Sequence, residues 1–181
     1  SSASVFDAAT HLPAYEKDRP MAQSEYGKFK YSVEKLLREH IPAQHVILRL
    51  PTVLGINSPA VVQLRQAMKH QAAFESYPNK IITVTTADKI AQQVHYIINQ
   101  SLDGVFHLAS SDMVHHEDLF REISEKLGDE MIIFKSVYQS NDDSYEAILP
   151  KTNRLPIPYR ITVAEVIEAT TLNEDILTIK P

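Results

Sequence analysis

Tyr26 and Lys30 stand four residues apart in a stretch whose apolar residues recur at helical spacing, so their side chains fall one turn apart on one face. A phenol with an ammonium group beside it can release or take back a proton near neutral pH, because the positive charge stabilises the phenolate. The spacing by itself selects nothing, since Tyr31 and Lys35 repeat it. Context separates the two pairs. Tyr26 is followed by Gly27, and 24 residues before it stands Ser2, within the small, hydroxyl-rich run Ser1-Ser2-Ala3-Ser4-Val5-Phe6-Asp7. No hydroxyl-bearing segment stands at that distance before Tyr31. The adjacent His115 and His116 lack the i, i+4 spacing of a helical metal pair, so no metal is expected there.

These residues must be positioned by the elements around them. The period of Tyr26, Phe29, Val33, Leu36 and Leu37 predicts a helix over 23–40, with those residues as its apolar face and Pro42 ending it. The β-branched run at 45–50 reads as a buried strand bounded by Pro51. A turn over 55–59 leads into a helix over 60–71, with Val61, Leu64 and Met68 on one side. A strand is expected over 80–85, and a helix over 88–99 with an apolar stripe of Ile90, Ala91, Val94, Ile97 and Ile98. After the Asp103-Gly104 turn come a strand over 105–109 and a helix over 116–127, with Gly128 placed where a helix end favours positive φ. Residues 131–137 read as a strand, 139–158 as irregular and polar, and 162–170 as a last helix. This alternation predicts an α/β class with parallel pairing.

Composition narrows the function. The chain has 181 residues, 18 Lys+Arg against 23 Asp+Glu, a formal charge of −5 and 44% hydrophobic residues, which fits one folded unit and argues against a nucleic-acid or polybasic membrane-surface binder. With no cysteine, disulfides, zinc–thiolate sites and thiol nucleophiles are excluded. No apolar run approaches a bilayer span and no signal-peptide pattern opens the chain, so a cytoplasmic location is expected. The four glycines, Gly27, Gly55, Gly104 and Gly128, lie too far apart to form a glycine-rich phosphate cradle.

The quoted segments together resemble the extended short-chain dehydrogenase/reductase family, in particular its dTDP-4-dehydrorhamnose reductase branch. SSASVFDA stands where that branch has a strand end bearing a catalytic Ser or Thr, and Tyr26-Gly27-Lys28-Phe29-Lys30 matches its Y-G-x-x-K. Downstream, Arg49-Leu50-Pro51-Thr52-Val53-Leu54-Gly55 is similar to L-R-x-x-x-V-Y-G, and Thr86-Ala87-Asp88-Lys89-Ile90-Ala91 to V-x-D-L-A. Gly104-Val105-Phe106-His107-Leu108-Ala109 is similar to G-x-Y-H-L. Ala3 and Ser4 replace the branch's Asp-Tyr, and the branch's N-terminal glycine-rich fingerprint has no counterpart here.

The resemblance implies the C-terminal portion of a Rossmann-like parallel sheet plus a small α/β substrate-binding region. Residues 1–55 and 84–110 would be the remainder of the dinucleotide-binding fold, and 56–83 with 111–181 the substrate-binding region. It implies reduction of a nucleotide-linked 4-keto sugar with NADP or NAD by a longer parent, in which Tyr26 is the general acid. Lys30 would support Tyr26 and hold cofactor ribose hydroxyls, Ser2 would donate to the substrate oxygen, and Pro51, Thr52 and Val53 would line the nicotinamide. Arg49 is expected to be a structural ion-pair residue. The 181 residues alone would bind dinucleotide weakly and turn over little. A nucleotide-sugar epimerase or dehydratase of the same family, and a non-catalytic binding module on this fold, are the other readings. A sheet lacking its first strands would expose an edge and favour a homo-oligomer.

Overall fold

The computed structural model describes residues 1–43, 45–128, 132–138 and 141–172. Ser2 caps a short 3-10 helix, Ala3–Phe6, by accepting the Ser4 N–H on its Oγ at 3.2 Å. A loop then leads to α1 (Glu25–His40), which Ser24 opens by accepting the Gly27 N–H at 3.0 Å. The chain continues through β1 (Val46–Arg49), β2 (Thr52–Leu54), α2 (Pro59–His70), β3 (Ala73–Ser76), β4 (Lys80–Ile82) and β5 (Val84–Thr86). Next come α3 (Ala87–Asn99), β6 (Gly104–His107), β7 (Val114–His115), α4 (His116–Leu127) and β8 (Ile133–Ser136). It closes with β9 (Ser144–Glu146), a 3-10 turn at Ile157–Tyr159 and α5 (Val163–Thr171), whose start carries a Thr162/Glu165 capping box.

Pairing is parallel for β1–β6, β2–β5, β3–β8 and β4–β9, and antiparallel for β4–β7. The fold is α/β with parallel strands, as the alternation predicts. Pro51 decides where the first ladder stops. In the β1–β6 register, Arg49 O accepts the Leu108 N–H at 3.0 Å, so the next rung would run from the residue-51 N–H to Leu108 O. Proline has no N–H, and past it the chain leaves β6 to pair as β2 with β5.

Among the described residues, three apolar clusters hold these layers. The largest joins α2, β4, β5, α4 and α5 around Leu64, Val84, Leu119, Ile123 and Val166. A second lies between β6 and α3 around Phe106, Leu108 and Ile97. A small third one, Val5, Phe6, Ala14, Ala109 and Ile148, sits beneath the first 3-10 helix, with Tyr31 packed on it.

Several expectations change on contact with the structure. The apolar stripe of α1 faces outward: Phe29 is 60% exposed and Leu36 53%. Its inward side carries Gly27 and Glu34 beside Tyr31, because the guanidinium of Arg49 lies beneath α1 next to the small apolar cluster. On α3, Ile97 is buried but Ile98 is exposed. The strand over 80–85 is two strands in different sheets, broken at Thr83, whose Oγ1 accepts the Ile148 N–H. The polar stretch 139–158 contains β9, and β2, β3 and β7 are strands that patterning missed. Of the expected strand 131–137, Met131 lies outside the described residues, as do Gln139 and Ser140 of the next stretch. Gly128 ends α4 at φ 151°, as its position predicts. Among the described residues no helix is long and apolar enough to cross a membrane.

Candidate active site

α1 meets the serine-bearing segment at Gly27. A Cβ on that residue would lie 2.2 Å from Ser4 O and 3.1 Å from an Asp7 carboxylate oxygen, so only glycine lets the helix approach this closely. Asp7 completes the junction by accepting the N–H groups of Gln23 and Ser24 and the Ser24 hydroxyl. Tyr26 is thereby set in the first turn of α1 beside residues 3–7. Lys30 Nζ lies 5.3 Å from the centre of the Tyr26 ring. Lys35 makes a similar contact with Tyr31, at 4.8 Å. Ring and cation therefore look alike in both pairs, and the junction at Gly27 is what distinguishes Tyr26.

Ser2 is fixed by a parallel bridge to Leu50 and by the Ala3 N–H donating to Leu50 O at 2.8 Å. Its hydroxyl donates to Ser4 Oγ at 3.1 Å. Ser2, Ser4, Pro51, Thr52, Tyr145 and Glu146 are among the residues lining one cleft of about 240 Å³. The structure thus brings Ser2, Pro51 and Thr52 together. Tyr26 and Lys30 belong to the adjoining helix and do not line the cleft, and Val53 lies on β2 outside it.

Beneath the site lies a buried polar hub that sequence reasoning only half anticipated. Arg49, fully buried, donates from Nε to Glu34 Oε1 at 2.9 Å and from Nη2 to Oε2 at 2.8 Å. Its Nη1 donates to Glu16 O and to His107 Nε2 at 3.3 Å, and the guanidinium lies over the Phe6 ring. Since arginine only donates, His107 carries its proton on Nδ1 and gives it to Leu149 O at 3.2 Å. Burial, then the Arg49 charge, pushes His107 down to about 4. Burial alone would raise Glu34, but hydrogen bonds from Arg49 and Ser1 and the Arg49 charge outweigh it and hold the carboxyl below the usual range. Glu16, also buried, accepts the N–H groups of Lys151 and Thr152. Glu34 lies one turn beyond Lys30, a signal the outward apolar stripe concealed. Tyr145 and Glu146 were missed because their strand is three residues long in a polar stretch.

A helix docked on a serine-bearing segment, at the end of a parallel β-pair flanked by helices, defines a Rossmann-like α/β fold. Residues 1–156 match the RmlD substrate binding domain family, and the chain belongs to that family. It is 28% identical over 145 residues to the probable low-salt glycan biosynthesis reductase Agl14 of Haloferax volcanii, covering 77% of this chain and 48% of that protein. The chain thus spans about half the length of this curated relative. Among solved structures, the dTDP-4-dehydrorhamnose reductase of Yersinia enterocolitica superposes with a TM-score of 0.80 at 20% identity, covering 94% of this chain and 65% of that one. A point mutant of UDP-glucuronic acid 4-epimerase from Bacillus cereus gives 0.73 at 15% identity, covering 94% and 58%.

Proposed function

We propose that this chain carries the proton-donating and sugar-binding part of an NAD(P)H-dependent reductase of a nucleotide-linked 4-keto sugar, within a longer protein that supplies the dinucleotide cradle. One observation carries the reading: Gly27 docks α1 on Ser4 O, so that Tyr26, with Lys30 over its ring, stands beside the serine-bearing segment. Residues 1–55 and 84–110 are assigned to the dinucleotide side, 56–83 and 111–181 to the substrate side.

In this reading Tyr26 hands its phenolic proton to the substrate carbonyl oxygen, and Lys30 stabilises the phenolate left behind. Ser2 donates to the same oxygen as negative charge develops on it. Its proton now points at Ser4 Oγ, and a hydroxyl rotates freely, so Ser4 can donate to Ser2 and release the Ser2 proton toward the substrate. NADPH or NADH, when bound, supplies the hydride. The residues present fit its nicotinamide and ribose end: Lys30 offers a charged multi-donor head, and Pro51, Thr52 and Val53 offer main chain. They do not fit its pyrophosphate, since the four glycines stand apart.

The test is NADPH oxidation by the full-length protein with a dTDP-linked 4-keto sugar. Tyr26→Phe is expected to lower kcat about 100- to 10,000-fold, the usual contribution of general acid catalysis, and a fully active Phe variant overturns the assignment. Net consumption of NADPH separates reduction from epimerisation, which restores its cofactor each cycle. The 181 residues alone should bind NADPH weakly by fluorescence titration, and tight binding would refute the missing-cradle argument.

A further inference from the structure

The cleft beside Ser2 is lined by acidic and hydroxyl-bearing residues. Among the described residues, those lining it include Asp7 and Glu146, the hydroxyl-bearing Ser2, Ser4, Thr52 and Tyr145, and no lysine or arginine. Asp7 is already committed to Gln23 and Ser24. Glu146 is committed only on one side, where Oε1 accepts from Lys80 Nζ at 3.0 Å, and half of its side chain remains exposed. Lys80 itself is largely buried and lies over the Tyr77 ring, so it neutralises Glu146 in part without offering a free cation to the cleft.

The backbone that carries Glu146 is held from two sides. β9 pairs in parallel with β4, its Glu146 opposite Ile82. On the other flank, the Tyr145 N–H donates to Thr10 O at 2.8 Å, and Ala14 N–H to Ala147 O at 2.9 Å. A half-exposed carboxylate on so restrained a strand, bordering a cleft whose other lining residues include Ser2, Ser4 and Thr52, can accept hydrogen bonds from vicinal sugar hydroxyls. A diphosphate would meet the Asp7 carboxylate and a Glu146 already paired with Lys80, and no cationic residue among those lining the cleft.

We propose that Glu146 is a specificity-determining residue that binds hydroxyls of the hexose, so that the Ser2 cleft receives the sugar end of the substrate and rejects its diphosphate. The inference takes its substrate class from the reductase reading, but its test involves no turnover. Amide NMR of the 181-residue chain is followed during titration with dTDP-glucose, with dTDP and with inorganic phosphate. The expected result is movement of the Thr52, Tyr145 and Ala147 signals with dTDP-glucose and not with the other two. Glu146→Ala should weaken the dTDP-glucose response about tenfold or more, since a hydrogen bond to a charged group is worth at least that, and Glu146→Gln should restore part of it. Equal responses to dTDP or phosphate, no response to any probe, or an unchanged affinity in Glu146→Ala overturns the inference. A sugar-specific response alongside a fully active Tyr26→Phe enzyme would sink the reductase reading alone.

Discussion

Replacing Glu34 by Leu removes the counter-ion of a guanidinium that has no solvent exposure. Arg49 would keep only a main-chain oxygen and a neutral imidazole as polar partners, and it cannot lose its proton. Breaking a buried pair from one side costs about 3–5 kcal/mol, a large share of a domain's total stability of roughly 5–15 kcal/mol. Arg49→Met strands the Glu34 carboxylate, relieved partly by Arg38 at 3.1 Å and by Ser1, and also takes the donor from His107 Nε2. Its cost is again about 3–5 kcal/mol. Removing both partners leaves no uncompensated charge, only the His107 nitrogen, at about 1–3 kcal/mol for an unsatisfied buried acceptor. The double variant should therefore be more stable than either single one. Urea unfolding of the four proteins at neutral pH, followed by far-UV circular dichroism, closes the cycle. If the two single losses simply add, Glu34 and Arg49 do not act as a pair and the hub beneath α1 has been misjudged.

Acid should weaken the fold in a defined window. His107 titrates at about 4 when folded and near 6.5 when unfolded, so as pH falls from 6.5 to 4 the unfolded chain takes up a proton the folded one refuses. The loss is about 3 kcal/mol over that range, and burial followed by the Lys80 charge lowers His116 in the same sense. His107→Gln should flatten the dependence of the urea midpoint on pH, and an unchanged slope would rule His107 out as its source. Glu34, held low when folded, adds a further loss only below its unfolded value of 4.5. Gly27→Ala should cost about 1–3 kcal/mol in urea, because its Cβ and Ser4 O cannot both keep their places. Gly55→Ala, where a Cβ meets nothing within 4 Å, is the matched control, and equal costs would dismiss the junction argument.

Elements long enough to show a period were legible in the sequence: α4 spans His116–Leu127 as expected, and α1 to α3 and α5 depart by one or two residues at their ends. What failed was orientation and brevity. Periodicity locates an apolar face but not which way it points, and on α1 the inner side carries Glu34, which answers a charge carried by β1. β2, β7 and β9, of two or three residues each, give no period to count. Of the candidate site, the Tyr26/Lys30 pair could be named from spacing, and Ser2, Pro51, Thr52 and Val53 from the resemblance of their segments to a known family. Glu34, Tyr145 and Glu146 depend on contacts between segments far apart in sequence, which one chain read alone does not display.

The proline that interrupts the first ladder also explains how the opening beside Ser2 can outlast change around it. A gap created by a missing amide hydrogen is written in the main chain, and side chains nearby can drift without closing it.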